Sequence, residues 1–366
     1  MASAFDRNVH CLLGLPFDAV DMAGTVARIR VAVARREPCV VATPNVNWLV
    51  ACATDQAFRN SVIESDLSIA DGMPIVWVAK LLGVPVEQRI AGSGVFEHLQ
   101  WDDQNRLAIY FFGGAEGVAE SACKQLNSNS SALACVGWDG AGFGSVEELS
   151  SEKAIARINA SGADFVVVSL GAQKGQAWIS RNRGRLDAPV VSHLGAVMSF
   201  VAGMIRRAPL WAQRSGLEWL WRIKEEPRLW RRYVVDGMKF FRLLVLRVVP
   251  YAWFIFWQKP GHRELDSAAI ETREQGREVV VCLSGAWAME NLEPFRECIA
   301  RLARDGKDVL FDMERVRYID SAFIGTLMLF YANSKTQRRR LTFSGLSNRV
   351  RRIFRYACAE FLLDPS

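Results

Sequence analysis

The chain has 366 residues, half of them apolar, and a formal net charge of +6. This length is more than one ordinary domain needs and predicts two domains. The chain does not open like a secretory segment, and no later run reaches about 20 uninterrupted apolar residues. We therefore expect a cytoplasmic protein, and we expect no nucleic-acid partner.

Eight cysteines are scattered through the chain, mostly within apolar runs. They form no CxxC pair and have no histidine at ligand spacing, so the sequence does not predict a metal site. Cysteines of this kind are expected to be buried thiols in a reducing compartment. They are Cys11, Cys39, Cys52, Cys123, Cys135, Cys282, Cys298 and Cys358.

After an opening strand and helix, two short apolar runs each end in a polar turn. Cys39–Ala42 is followed by Thr43 and Asn45, and Leu67–Ala70 is followed by Asp71. Such runs form strands that are buried on both faces of a parallel sheet. Because the carboxyl ends of these strands meet at the ligand-binding edge of an open α/β fold, the three polar residues are predicted to lie together there.

Two explanations of these polar residues remain open at this point. Asp-Gly is a common turn dipeptide, and Thr or Asn before a helix is often a cap. Alternatively, Asp71 is a general base and Thr43 and Asn45 are its neighbours. Spacing alone does not separate turn chemistry from catalysis.

The stretch TPNVNWLVACATDQAFRNSVIESDLSIADGMPIVWVAKLLGVPVEQRIAGS resembles the opening half of the WecG/TagA/CpsF family. These are bacterial glycosyltransferases that extend undecaprenyl-pyrophosphate-linked sugars. The resemblance implies an α/β fold with a Rossmann-like parallel-sheet domain over residues 1–206. It also implies that Asp71 is the catalytic base, that Thr43 and Asn45 hold substrate hydroxyls, and that Arg89 stabilises the departing pyrophosphate.

A glycine pair, Gly113-Gly114, stands between a predicted buried strand and a helix. Glycines there let a ligand approach the backbone, and a helix amino terminus favours phosphate. The surrounding FFGGAEGVAE is similar to the family's nucleotide-binding segment, which implies that both glycines contact the nucleotide. By contrast, GAGFG at 140–144 lacks the strand and acidic residue of a dinucleotide fingerprint and predicts a loop.

The segment GAQKGQAWI at 171–179 resembles the family's GxPKQExW motif, with departures. Gly175 replaces the usual glutamine, which contributes to the site in that family, and Gln176 is predicted to supply this contact from the next position. Gly94, where an acidic residue is usual, is a second departure. His193 ends a later strand, and its side chain is either a hydrogen-bonded structural group or a catalyst.

Residues 207–258 resemble the family's carboxyl-terminal appendage, in which arginines complete the active site and an apolar face meets the membrane. Arg222, Arg228 and Arg231 are the counterparts of the pyrophosphate-contacting arginines, although the chain is one residue short between Pro227 and Tyr233.

Periodicity independently predicts an amphipathic helix over 228–247. At about 100° per residue its charged side chains share a sector of roughly 160°. A basic stripe backed by aromatics predicts peripheral binding to the inner face of the cytoplasmic membrane rather than a spanning helix. The alternative is a packing helix with a solvated charged face. The stripe is Arg228, Arg231, Arg232, Asp236, Lys239, Arg242 and Arg247, and Trp230, Tyr233, Phe241, Leu244 and Val248 face the other way.

A polar segment over 259–277 predicts a linker, and a second, smaller α/β unit follows over 278–366. Its GKDVLFDMERVRYIDSAFIGTLMLFY resembles the STAS fold of anti-sigma factor antagonists. In that family the serine after the aspartate can be phosphorylated, which makes Ser321 a candidate regulatory site at a helix amino terminus. The alternative is that Asp320 and Ser321 simply cap the helix. The resemblance implies a protein partner for the STAS unit.

The resemblance implies transfer of a sugar, N-acetylmannosamine-like or a hexose, from a UDP-sugar to an undecaprenyl-pyrophosphate-linked acceptor with inversion. Exopolysaccharide or surface-glycan synthesis is the expected setting. The first domain has no Asp-x-Asp, so arginine charge in place of a metal is expected, with no cofactor. Two rivals remain: a catalytically degenerate nucleotide-sugar-binding regulator that signals through the STAS unit, and a soluble nucleotide-binding oxidoreductase.

Overall fold

Six parallel strands form the central sheet of the first domain. The computed structural model describes residues 4–101, 106–140, 144–206, 208–209, 211–212 and 216–364. The sheet has the strand order β4-β3-β8-β7-β5-β6. Its strands are β3 Cys39–Ala42, β4 Leu67–Ser68, β5 Leu107–Gly113, β6 Leu133–Asp139, β7 Phe165–Ser169 and β8 Val190–His193.

Helices cover both faces of this sheet, because its strands alternate apolar side chains between two cores. Phe111 and Val167 pack in one core, and the next residues, Phe112 and Val168, pack in the other. The result is the α/β fold that the sequence predicts. The helices are α1 Met22–Arg35, α2 Val46–Cys52, α3 Gln56–Ile63, α4 Met73–Leu81, α5 Gly92–Trp101, α6 Val118–Asn129, α7 Val146–Leu149, α8 Glu152–Ala160, α9 Ala172–Asn182 and α10 Val197–Val201.

A separate antiparallel hairpin, β1 Val9–Leu12 and β2 Leu15–Asp18, precedes the sheet. Asp18 ties it to the sheet edge by accepting a hydrogen bond from the Ser68 backbone N–H at 2.7 Å. Arg7 pairs with the same buried carboxylate at 2.7 Å, so the charge is balanced. The hairpin is therefore anchored to β4, three residues before Asp71.

The appendage is helical, but it is not one regular α-helix, because a 3-10 turn and a π turn interrupt it. It comprises α11 Glu218–Glu225, a 3-10 turn Pro227–Leu229, α12 Trp230–Leu243, a π turn Leu244–Val248 and α13 Val249–Gln258. A π turn rotates the residues that follow it, and Val248, expected on the membrane-facing side, is buried in the core. The prediction of one regular amphipathic helix is therefore wrong beyond Leu243.

The second domain is a four-stranded sheet of order β12-β11-β10-β9 with helices packed on it. The expected linker is wrong in part, because 259–277 contains helix α14 His262–Asp266 and edge strand β9 Ala269–Gln275, which pairs antiparallel with β10. The other elements are β10 Glu278–Trp287, α15 Glu293–Asp305, β11 Asp308–Ile319, α16 Ser321–Thr336, β12 Leu341–Ser344 and α17 Asn348–Tyr356.

Two of the eight cysteines are bonded to each other. Helix α6 packs on β6 and brings Cys123 next to Cys135, with their Cα atoms 5.2 Å apart. The expectation of free thiols is wrong for this pair, whose partners a scattered sequence pattern does not reveal. The other six are free. The predicted loop at 140–144 lies outside the described residues over 141–143.

Candidate active site

A cavity of about 590 Å³ opens where the carboxyl ends of β3, β4 and β8 face the appendage. The sheet edge contributes Thr43, Asn45, Asp71 and Arg89 to its lining. The sequence predicts that these residues meet, and the structure brings them together. The appendage forms the opposite wall with Glu218, Arg222, Arg232, Tyr233 and Asp236.

Local hydrogen bonds fix the two polar turns against each other. Asn45 is the N-cap of α2, and its side-chain oxygen accepts from the Trp48 backbone N–H at 3.3 Å. The backbone N–H of Asp71 donates to the Pro44 carbonyl at 2.9 Å. Asn45 is able to cap the helix and to bind a ligand at the same time. The cap uses only its amide oxygen and leaves its amide nitrogen available.

Arg89 lies between two carboxylates at the floor of the cavity. Its guanidinium is 3.4 Å from Asp71 Oδ1 and 2.5 Å from Glu218 Oε2. Burial raises the pKa of Asp71 above that of an ordinary aspartate, Arg89 opposes this rise, and the Glu218 charge adds to it. The raised pKa makes the carboxylate of Asp71 a stronger base, and a general base needs this property.

Several site residues were missed by sequence reasoning, which considered only the arginines of the appendage. Glu218 reaches Arg89 from α11, and Asp236 on α12 accepts a hydrogen bond from Asn47 Nδ2 at 2.9 Å. Arg232 lies 3.9 Å from Asp236. Asp236 had a signal, since it is the only carboxylate of α12, which is otherwise basic and apolar.

The predicted arginines separate into two groups. Arg222 lines the cavity, 3.7 Å from Glu226, with its guanidinium over the Phe200 ring. Arg228 and Arg231 are exposed, and neither is among the residues that line the cavity. Arg232 takes the place expected for Arg231, because the 3-10 turn before α12 sets the helix phase. A shift of one helical residue, about 100°, moves a side chain to another face.

The glycine pair lies at the same sheet edge but outside the cavity lining. Gly113 ends β5, which is separated from β8 by β7. The Gly114 N–H donates to the Ser169 carbonyl at 2.7 Å, and both glycines have positive φ values of 97° and 84°. A Cβ at Gly113 would lie 2.6 Å from the Ser169 carbonyl oxygen, so glycine is needed there for packing. Contact of this pair with a nucleotide stays a prediction.

The departure at Gly175 has a structural counterpart in His193. A Cβ at Gly175 would collide with the imidazole of His193, which lines the cavity. Burial lowers the pKa of His193 to about 4, so the ring is neutral at physiological pH. Gln176 is fully buried and is not among the cavity-lining residues. The imidazole thus fills the space next to the position where the family usually has glutamine.

An apolar groove of about 430 Å³ adjoins the cavity on the appendage. Trp219, Tyr233 and Gly237 line both spaces. The groove continues over Met238 and Phe241, which are largely exposed. Among the described residues, no three His, Cys, Asp or Glu side chains form a group that could hold a metal ion.

The carboxyl edge of the Rossmann-like sheet brings a carboxylate together with hydrogen-bonding side chains and arginines, and this is the edge at which open α/β enzymes bind their ligands. Residues 10–252 match the family described as glycosyl transferase WecG/TagA/CpsF, and the chain belongs to that family. Residues 270–363 match the STAS domain described as Mlab. These matches confirm the two resemblances seen in the sequence.

Similar proteins share the name N-acetylglucosaminyldiphosphoundecaprenol N-acetyl-beta-D-mannosaminyltransferase. The one from Bacillus spizizenii is 29% identical over 53% of this chain and 73% of its own length. The Bacillus subtilis protein is 27% identical over 53% of this chain and 74% of its own. The Staphylococcus aureus protein is 23% identical over 58% and 82%. Membership in a glycosyltransferase family excludes the oxidoreductase alternative.

Proposed function

We propose that the protein transfers a sugar, N-acetylmannosamine-like or a hexose, from a UDP-sugar to an undecaprenyl-pyrophosphate-linked acceptor, with inversion. The observation that carries this proposal is the pairing of Asp71, whose pKa is raised, with Arg89 in the cavity. The names of the similar proteins support a lipid-linked acceptor. We place the reaction in surface-glycan synthesis.

In this mechanism Asp71 accepts the proton of the acceptor hydroxyl as its oxygen attacks the anomeric carbon of the donor. The bond from that carbon to the pyrophosphate oxygen breaks, and UDP leaves with the electron pair. Arg89, Arg222 and Arg232 offset the charge that develops on the leaving group, without a metal ion or other cofactor. Thr43 and Asn45 hold sugar hydroxyls.

We place this reaction at the inner face of the cytoplasmic membrane, with the enzyme bound peripherally. The segment Pro227–Gln258 has 32 residues, and an 18-residue window within it has a mean hydropathy of 1.5. By length and composition alone the segment is therefore able to cross a membrane. However, Phe240 and Val248 pack into the first domain, and Tyr251 and Phe254 pack into the second. A helix held along its length by two folded domains lies on a membrane rather than across it.

The pH dependence of catalysis tests the assignment of the base. A general base works when deprotonated, so kcat/KM should fall as pH drops through the pKa of Asp71. Because burial raises that pKa, this acid limb should lie above the ordinary aspartate value of about 4. Glu218→Gln removes a charge that raises the pKa of Asp71 and should move the limb to lower pH. A limb that does not move in pH–rate profiles would remove Asp71 from the role.

The degenerate regulator is the second candidate, favoured by the imidazole of His193 beside Gly175. UDP release from a panel of UDP-sugars separates the two functions, measured with and without an undecaprenyl-pyrophosphate-linked acceptor analogue. Acceptor-dependent release from one donor is expected and would identify its sugar. Tight donor binding without release from any donor would favour the regulator.

A further inference from the structure

The STAS domain is packed directly against the first domain. Helix α16 lies along β1, and a Cβ at Gly325 would collide with the Val9 carbonyl oxygen and lie 3.0 Å from His10 Cα. At the hairpin turn, a Cβ at Gly14 would lie 2.7 Å from the Cys358 carbonyl oxygen. Each domain thus carries a glycine where the other's backbone approaches too closely for a side chain.

The candidate regulatory serine lies inside this interface. Ser321 Oγ is 3.1 Å from His10 Nδ1, and the other ring nitrogen is 3.1 Å from the Asn8 side-chain oxygen. Ser321 is 9% exposed and His10 is 1% exposed. The hydroxyl is therefore covered by the chain's own hairpin, and a phosphate there would place about two negative charges in a buried site.

One apolar core joins three parts of the chain. Val9 and Cys11 of the hairpin pack with Tyr251 and Phe254 of α13 and with the STAS side chains. Phe240 and Val248, earlier in the appendage, pack instead in the first domain. The appendage is therefore held at one end by the domain that carries the cavity and at the other end by the STAS domain.

Polar contacts reinforce the second attachment. Arg247 donates to the Arg355 carbonyl at 2.8 Å and lies 3.4 Å from Glu360. Arg349 donates to the Gln258 carbonyl at 2.9 Å, at the end of α13. These contacts tie the appendage to the STAS domain at two places, in its π turn and at the end of α13.

We propose that the binding partner of the STAS helix around Ser321 is the hairpin of the same chain, and that this docking clamps the appendage over the cavity. The proposal rests on the proposed function for its effect on catalysis, but the docking itself does not. A protein that reaches Ser321 must first displace the hairpin. Displacement frees α13 and loosens the wall that carries Glu218, Arg222 and Arg232.

Gly325→Leu in the full-length chain tests the clamp, with Gly261→Leu as the matched control, since a Cβ at Gly261 meets nothing within 4 Å. Amide hydrogen exchange is expected to rise about 10-fold or more in β1, β2 and α13 of Gly325→Leu. Acceptor-dependent turnover should fall about 10-fold, and UDP-sugar affinity should weaken as well, because the loosened wall carries Arg222 and Arg232. The control should match the parent protein in all three measurements.

Ser321→Asp and Ser321→Ala keep the test decisive if Gly325→Leu unfolds the STAS domain. Burial lowers the pKa of His10 to about 4, so the aspartate places a charge beside a neutral ring. This charge should release the hairpin and α13, whereas alanine should keep most of their protection. Unchanged protection of the hairpin and α13 in Ser321→Asp overturns the clamp. If amide exchange in the hairpin and α13 becomes faster but turnover stays unchanged, the proposed effect of the clamp on catalysis is overturned. If the parent protein shows no transfer at all, the proposed function fails, and the exchange measurements alone decide the docking.

Discussion

Replacing Asp71 by asparagine should lower the turnover number by about 10²-fold or more, because general bases typically contribute roughly 10²–10⁴. Asparagine keeps the volume of the side chain and can still accept a hydrogen bond from Arg89, which lies 3.4 Å from the carboxylate. UDP affinity should therefore stay nearly intact. Single-turnover kinetics with saturating donor and acceptor, together with calorimetric UDP titration, separate the two effects.

Asp55→Asn is the matched control for this substitution. Asp55 is the N-cap of α3, is not among the cavity-lining residues, and keeps its cap when changed to asparagine. Its turnover should equal that of the parent protein within about twofold. If Asp71→Asn turns over like the parent protein, another group removes the proton of the acceptor. Glu218, the carboxylate on the other side of Arg89, is then the next candidate.

Changing Trp253, Phe256 and Trp257 together to serine should weaken binding to anionic vesicles by about 10³-fold. The three side chains are 68%, 77% and 66% exposed on α13. Burying each such side chain in a membrane is worth roughly 1.5–3 kcal/mol, and every 1.4 kcal/mol is tenfold in the binding constant. Sedimentation with vesicles of defined anionic lipid content measures the change.

The matched control changes Trp101 and Trp138 to serine. These two tryptophan side chains lie on the first domain and are 73% and 45% exposed. Vesicle binding of this control should change by less than about threefold, because single exposed apolar side chains are ordinary on protein surfaces. Equal losses in both variants would show that the face of α13 is not the membrane-binding surface. Transfer to a short-chain, water-soluble acceptor should be unaffected by the α13 substitutions, since these side chains do not line the cavity.

The sheet-edge half of the site could be read from the sequence because its signals are local. Thr43 directly follows β3, Asn45 and Asp71 lie three residues beyond the ends of β3 and β4, and parallel strands bring their carboxyl ends to one edge. The same strand-and-helix alternation predicts the STAS sheet. The resemblances add the roles of these residues, and the family matches confirm the class of enzyme.

The appendage half of the site could not be read in this way. Which arginine faces the cavity depends on the helix phase, and a 3-10 turn before α12 and a π turn after it change that phase. Arg232 therefore lines the cavity while Arg231 does not. The carboxylate of Glu218 meets Arg89 only because α11 packs over the sheet edge.

The sequence by itself determined the two folds, the order of the elements and the polar turns of the sheet edge, since strand and turn propensities act over a few neighbouring residues. The tertiary structure alone decided the Cys123–Cys135 bond, the imidazole of His193 against Gly175, and the burial of Ser321 under the hairpin. Each of these joins residues from separate elements. Whether these residues meet depends on how the separate elements pack, and the spacing of residues within one segment does not predict this packing.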